Sequence, residues 1–254
     1  MAGMIFLDAH VHLYPRYDRD LLFDTLVARA GRLAPRAGQI ALLMMLREGQ
    51  RTLAEVLRAA ERPRARWQVR DETAPGVCVA TCGTASIHLF AARQVAVRER
   101  IELLGLFTEA GIPDGLAAAE TLERLRGAGA LPVLAWGLGK WLFQRARVVR
   151  RLIEAATPEQ PLLIGDTALR PAFWGEPRLM ALARRRGLRV IHGSDPLPRA
   201  GDERVAGSYA SLVEGVCSAQ QPAADLRRLL LDPAVPLRAA GRRAGCLATL
   251  ARLR

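Results

Sequence analysis

Residues 4–12 read Met-Ile-Phe-Leu-Asp-Ala-His-Val-His, an apolar run of strand length that ends in an acid and two histidines. Alternate residues of an extended segment point to the same face, so Asp8, His10 and His12 are expected to project together. Two buried imidazoles are costly unless a partner satisfies their nitrogens. A divalent metal does so, and a nearby carboxylate can orient an imidazole. The pattern predicts a metal-binding mouth at this strand end; the alternative is two ordinary polar residues that close a strand.

Strand-length apolar runs alternate with amphipathic, helix-length segments along most of the 254 residues. This alternation predicts a single domain over 1–254 with an α/β barrel fold. The expected strands cover 4–7, 39–46, 132–136, 162–165 and 188–191, and the expected helices 20–32, 53–60, 116–126, 141–155 and 176–186. Strand patterns without a helix predict a β-rich insert over about 67–107, a hairpin or meander on the barrel edge. The tail from residue 207 is expected to be helical, with proline interruptions.

The composition excludes global disorder, because 50% of the residues are hydrophobic. A formal charge of +12 is compatible with nucleic acid, but the basic residues are almost all arginines spread along the chain, and Lys140 is the single lysine. Solvated helix faces explain this pattern better than a dedicated nucleic-acid surface. A small anionic substrate fits the charge equally well.

Cysteine usage and the N-terminus indicate a cytoplasmic protein without a membrane anchor. The four cysteines form no CxxC pair, and a chain with this much core does not require disulfides. The first residues lack the basic region of a signal peptide, and the apolar run 41–46 is too short to cross a membrane.

Ligands of α/β barrels gather at the carboxyl ends of the strands. In this chain those ends carry WGLGK at 136–140, GDTALR at 165–170 and GSDPLP at 193–198. Asp195 is the best third metal ligand, although an aspartate after a strand is often a turn or helix-capping residue. Asp166 has the same ambiguity and is a candidate catalytic base.

The segment at 136–140 resembles a phosphate cradle. Gly137 and Gly139 leave backbone N–H groups accessible, a helix follows, and Lys140 adds a positive charge. It is not a Walker A loop, which needs a longer glycine spacing and a Ser or Thr after the lysine. We expect this segment, including Trp136, to bind an anionic substrate, with Arg170 as a second clamp.

The DAHVH segment at the first strand end and GSDPLP at the last resemble the metal-dependent hydrolases with (β/α) barrels. Two branches fit: the PHP (polymerase and histidinol phosphatase) phosphoesterases, with a distorted seven-stranded barrel, and the amidohydrolase-related enzymes, with eight strands. The order of RQV at 93–95, IELLG at 101–105, ETL at 120–122 and LPVLAW at 131–136 is similar to the order of the PHP motifs. The resemblance implies a distorted seven-stranded, PHP-like barrel.

This sequence departs from the PHP pattern at four motif positions. Gln94 stands in place of a bridging glutamate, and Glu102, Trp136 and Leu197 stand in place of histidines. The resemblance therefore implies a site for one or two divalent ions (zinc, manganese or magnesium), with Glu102 as a substitute ligand or base. The implied function is a divergent phosphoesterase acting on a phosphorylated small molecule. A catalytically inactive binding module and an amidohydrolase-type C–N hydrolase are the alternatives, and nucleic-acid processing ranks last.

Overall fold

The computed structural model describes residues 3–72, 74–245, 249 and 252. Its strands are β1 (Met4–Val11), β2 (Gln39–Leu46), β3 (Gln68–Asp71), β4 (Val77–Cys82), β5 (Ala85–Ala96), β6 (Glu102–Leu106), β7 (Leu131–Ala135), β8 (Leu163–Thr167), β9 (Val190–Gly193), β10 (Tyr209–Glu214) and β11 (Leu237–Gly241). Its α-helices are α1 (Arg19–Leu33), α2 (Leu53–Ala59), α3 (Ala118–Gly127), α4 (Gln144–Ala155), α5 (Arg178–Arg185) and α6 (Pro222–Leu231). A short 3₁₀ helix covers Asp202–Val205.

One twisted sheet forms the wall of a nearly closed barrel. Its main path runs β11-β10-β1-β2-β5-β6-β7-β8-β9, with β3 and β4 attached outside that path through β5. The α/β barrel prediction is thus confirmed at the level of a barrel-like mixed sheet, but the main path contains nine strands and not seven. β6 is antiparallel to both of its neighbours, whereas β1, β2, β5 and β7, β8, β9 form two parallel sets.

β9, at one end of the main path, approaches β1 and β10 near the other end. The Asp195 N–H donates to the His10 carbonyl at 2.9 Å, and the His192 N–H donates to Ser211 Oγ of β10 at 2.9 Å. Gly193 makes this approach possible, because a Cβ at that position would lie 2.5 Å from the His10 nitrogen. The last βα strand is therefore held directly against the first.

Alternating side chains divide the core into an inner and an outer part. The inner core contains Leu7, Leu43, Val133 and Ile191, together with leucines of α6. The outer core fills the space between the sheet and the other helices, in two clusters around Phe23 of α1 and around the strand and helix residues from 95 to 190. Inward and outward residues are both apolar, so the strands are buried on two faces.

Two predictions of secondary structure were wrong. The region 67–107 is β-rich as expected, but β5 and β6 belong to the barrel wall and only the β3–β4 hairpin lies outside it. The tail from residue 207 contains two strands, β10 paired antiparallel with β1 and β11 paired with β10. Between residues 207 and 245 α6 is the one α-helix, and the described residues Thr249 and Arg252 beyond it are also helical. β10 is almost entirely buried, and a short apolar run buried on both faces has no periodicity that separates a strand from a helix.

Candidate metal centre

A change of phase near the end of β1 separates Asp8 from the two histidines. Phe6 and Val11 both pack in the outer core, although they are an odd number of positions apart and strict alternation would place them on opposite faces. The pairing register with β2 shifts between Asp8 and Val11. The expectation that Asp8, His10 and His12 share one direction was therefore wrong, and the phase change aims only the two histidines at the barrel mouth.

His10, His12 and Asp195 converge in space as the sequence predicts. The two Nε2 atoms are 3.2 Å apart, and Asp195 Oδ1 lies 3.5 Å from His10 Nε2 and 4.0 Å from His12 Nε2. One ligand atom from each residue falls within 4.8 Å of the others. Two nitrogens bound tetrahedrally to one zinc ion lie about 3.3 Å apart, since each Zn–N bond is about 2.0–2.1 Å. The spacing therefore fits three ligands of one ion.

Gln94 adds a fourth possible metal-binding atom, which the sequence did not identify as part of the site. Its Oε1 lies 3.1 Å from His10 Nε2, and β5 carries it to the mouth because β5 runs parallel to β2. The signal was present only in the family resemblance, which places a bridging glutamate at this position. An amide oxygen is an uncharged metal ligand of the same shape.

The chemistry of these four atoms fits a bound cation. Each imidazole Nε2 carries at most one proton, whereas the Asp195 carboxylate and the Gln94 carbonyl oxygen only accept. Both histidines are 4% exposed, so water cannot readily compensate for lone pairs that face one another. A divalent ion would satisfy all four atoms at once.

Burial favours the neutral imidazole of His12, which is the form that can bind a metal. Desolvation, followed by the charges of His10 and Arg47, holds the pKa of His12 well below its usual range. Desolvation also raises the pKa of Asp195, while His10 acts in the opposite direction. Asp195 has φ = 50°, a left-handed conformation that aspartate tolerates better than most residues. Its N–H bond to His10 fixes this conformation.

Asp8 supports the site through the backbone. Its carboxylate accepts hydrogen bonds from Ser194 N at 2.9 Å, Ser194 Oγ at 2.5 Å, Gly207 N at 2.7 Å and His10 N at 3.3 Å. Burial raises the pKa of Asp8 to about 6, against the opposing effect of these bonds. All of its partners are protein groups of β1 and of the loops after β9 and before β10. In this geometry Asp8 is a brace between those segments and lies outside the ligand group.

Glu102 and Lys140 reach the same mouth as an ion pair. β6 is antiparallel, so its first residue lies at the rim where the parallel strands end, and Glu102 pairs with Lys140 Nζ. The pair is partly exposed, at 19% for the Glu102 side chain and 32% for the Lys140 side chain. A Cβ on Gly137 would lie 2.6 Å from Lys140 Cδ, so this glycine makes room for the lysine stem. Both charges also act on Asp195.

Asp166 and Arg170 are paired with each other. Arg170 donates to both carboxylate oxygens of Asp166, at 2.7 and 2.5 Å, and its remaining nitrogen donates to the carbonyls of Trp174 and Gly175. Tyr209 also donates to Asp166 at 3.0 Å. The pair is buried, with side chains 2% and 7% exposed. Both side chains therefore stabilise the 166–175 loop, and neither charge points at a substrate. This placement contradicts the expectation that Asp166 is a base and Arg170 a substrate clamp.

Trp136 faces away from the ligand group. Its backbone N–H donates to the Gly165 carbonyl at 2.8 Å, and its ring meets the Trp174 ring edge-on, with centroids 6.1 Å apart. Gly139 has φ = 74° and completes the turn in which Lys140 N–H donates to the Gly137 carbonyl at 2.9 Å. The 136–140 segment therefore presents Lys140 on one side and Trp136 on another.

Arg47 is a second cationic group near the site, and no motif in the sequence indicated it. It follows β2 at the mouth, and its guanidinium carbon lies 4.8 Å from the centre of the Tyr14 ring. The Tyr14 ring is in turn 5.4 Å from the His12 ring. Arg47 has no ion pair among the described residues, and it follows a strand that contributes no other candidate. Only its position at the end of a predicted strand could have indicated it.

Comparisons with known proteins show a similar fold. No protein-family model matches the chain, and no curated protein matches it. Among solved structures, PsfC from Pseudomonas syringae PB-5123 superposes with a TM-score of 0.53 at 11% identity, covering 94% of this chain and 91% of that chain. The lesion-specific endonuclease PfuEndoQ from Pyrococcus furiosus gives a TM-score of 0.50 at 11% identity, covering 92% of this chain and 57% of that chain.

Among the described residues, no helix has both the length and the apolar character needed to cross a membrane.

Proposed function

We propose that this chain is a metal-dependent phosphoesterase with a divergent PHP-like site. The convergence of His10, His12 and Asp195 within 4.8 Å is the observation that carries the proposal. The place of Gln94 beside His10 supports the PHP-like branch, since the resemblance puts a metal-bridging side chain there. The fold likeness to a lesion-specific endonuclease agrees with phosphoester chemistry.

The four donors would hold one divalent ion of zinc, manganese or magnesium. Such an ion supplies positive charge that polarises a phosphoester and lowers the pKa of a bound water. Two imidazoles favour zinc or manganese over magnesium, which prefers oxygen ligands. A single ion is expected, because the described cluster contains three strong ligands and one amide.

The other side chains at the mouth would bind and orient the substrate. Arg47 beside Tyr14 and Lys140 beside Glu102 place two cations near the ligands, where they can neutralise phosphate oxygens. Glu102 can accept a proton from the attacking water once the substrate competes for Lys140. Asp166 would act only indirectly, by holding the 166–175 loop through Arg170.

Metal content and turnover of a generic phosphomonoester, measured together, test this function. Wild-type protein purified without chelator should contain about one ion per chain and hydrolyse the ester, and both properties should be lost in His10→Ala. His88→Ala is the matched control, since this histidine of β5 lies outside the ligand group. Equal metal in wild type and His10→Ala would refute the proposal.

A binding module without catalysis is the second candidate. Glu102 is paired with Lys140 and Asp166 with Arg170, so both candidate bases are occupied in this structure. The module would bind a metal and an anionic ligand at the same mouth but show no turnover with any divalent ion. Metal binding that depends on His10, without hydrolysis of phosphomonoesters, phosphodiesters or C–N substrates, would favour it.

A further inference from the structure

A cavity of about 470 Å³ lies beside the 136–143 loop, outside the ligand group. Aromatic and arginine side chains are prominent in its lining, among them Trp136, Trp141, Phe143, Trp174, Arg147 and Arg178. We call it the tryptophan cavity. Its volume is in the range of sites for small molecules and cofactors.

The walls of the tryptophan cavity are aromatic. Trp136 and Trp174 contact each other edge-on in its wall, and Phe143, which also lines it, is 86% exposed. Phe143 also has φ = 56°, a left-handed conformation that is unfavourable for an aromatic residue. An exposed ring on a strained backbone costs stability without a folding benefit, and such positions concentrate at ligand sites. The arrangement suits a flat aromatic ring that stacks on these side chains.

The rim of the tryptophan cavity is cationic. Arg147, Arg150 and Arg178 are exposed lining residues, and none of the described lining residues is acidic. Arg150 has only a long contact of 3.7 Å to Glu154, and Arg147 and Arg178 have no ion pair with any residue that the structure describes. Unpaired guanidinium groups around an apolar cavity complement an anionic aromatic ligand.

The loop that lines this cavity also carries a residue of the metal mouth. Gly137 and Gly139 line the cavity, while Lys140, next in the chain, pairs with Glu102 at the mouth. A molecule bound in the cavity would therefore lie one loop away from the group formed by His10, His12 and Asp195. A phosphorylated molecule with an aromatic part is the chemistry that matches both sides of this loop.

We propose that the tryptophan cavity binds the base of a nucleotide, with its phosphate directed to the arginine rim. The proposal rests on the proposed function in one respect: it names the part of a phosphorylated substrate that is recognised beside the metal. The nucleotide comes from one of two sources, a free mononucleotide or the end of a single strand. Base stacking on aromatic side chains and arginine contacts to phosphate are common to both.

Tryptophan fluorescence of chelator-treated protein gives a readout that does not require activity. Three of the four tryptophans line the cavity, and the fourth, Trp67, is 2% exposed and donates to Asp24. Adenosine 5′-monophosphate should quench the emission saturably, and ribose 5-phosphate and inorganic phosphate should not. A 5′-phosphorylated oligoadenylate of a few nucleotides distinguishes the sources: tighter binding than the mononucleotide indicates a strand end, and equal or weaker binding a free nucleotide.

Matched variants locate the binding. Phe143→Ala should weaken adenosine monophosphate about tenfold, as expected for loss of a stacking ring. Phe173→Ala, which removes a ring that is 72% exposed but outside the cavity, should leave it unchanged. The double variant Arg147→Ala, Arg178→Ala should abolish the preference for the monophosphate over adenosine, whereas Arg151→Ala, on α4 but outside the lining, should preserve it.

The outcome separates this proposal from the proposed function. The same titration in His10→Ala protein should give unchanged affinity, even though metal and turnover are lost. Equal quenching by the monophosphate and ribose phosphate, or full affinity in Phe143→Ala, would overturn the cavity proposal while leaving hydrolysis of simple phosphoesters intact. Nucleotide binding in a protein without turnover would instead overturn the phosphoesterase and support the cavity.

Discussion

Replacing Gln94 by glutamate tests whether this side chain is a ligand of the proposed ion. The substitution keeps the shape and puts a negative charge where Oε1 now lies 3.1 Å from His10 Nε2. Without metal, the new carboxylate joins Asp195 in a buried site, so the apo-protein should lose about 1–3 kcal/mol of stability. With metal, the added charge is attractive. The cost of desolvating the carboxylate offsets part of that attraction. We therefore expect metal affinity to rise about 10- to 100-fold, or about 1.4–2.8 kcal/mol.

Thermal unfolding measures both effects in one assay. In chelator, Gln94→Glu should melt below wild type by about 2–4 °C for each kcal/mol lost. With saturating zinc or manganese the difference in melting temperature should shrink or reverse. In chelator competition, Gln94→Glu should show a lower metal dissociation constant than wild type. Gln144→Glu, an exposed change at the first residue of α4, is the control and should alter neither quantity. Unchanged metal affinity together with unchanged apo stability would refute the placement of Gln94 in the site.

Three further substitutions test the architecture around the ligands. Asp8→Asn should destabilise the protein by about 2–4 kcal/mol in denaturant unfolding, because an amide NH₂ replaces one of two oxygens that accept four hydrogen bonds; a loss below about 0.5 kcal/mol would contradict the brace role. Burial lowers the pKa of His192 to about 4, whereas in the unfolded chain a histidine has a pKa of about 6.5. The unfolded chain therefore binds this proton first as the pH drops. Between about pH 6.5 and pH 4 the free energy of unfolding should fall by about 3 kcal/mol in total. His192→Gln should therefore gain that amount relative to wild type over the same pH range, and a constant difference would refute the assignment. Gly193→Ala should cost more than about 2 kcal/mol and weaken metal binding, since its Cβ would meet the backbone of His10; near-wild-type melting would show that β9 does not press on β1.

The expectation that ligands gather at the carboxyl ends of strands selected three candidate ligands whose signals in the sequence are local. His10 and His12 follow one apolar run and Asp195 follows another, so both lie at carboxyl ends of strands. In a barrel those ends share one rim, and this prediction does not require the strand order. The structure places these three side chains within 4.8 Å of one another. The direction of Asp8 could not be predicted, because it depends on a register shift in β1 that leaves no mark in the apolar pattern.

The partners of the charged candidates were beyond reach for a different reason. A sequence shows that Glu102, Lys140, Asp166 and Arg170 are near strand ends, but not that they pair with each other. Those pairs depend on an antiparallel β6 and on the turn after β8. β10 was missed because it is short and buried on both faces, so its apolar pattern does not distinguish a strand from a helix.

Anomalous diffraction from crystals grown with zinc or manganese tests the shared-ion claim most directly. An ion shared by the three side chains should give one strong peak, within about 2.0–2.3 Å of His10 Nε2, His12 Nε2 and an Asp195 carboxylate oxygen. Density for a metal elsewhere, with these three groups left uncoordinated at saturating metal, would contradict it.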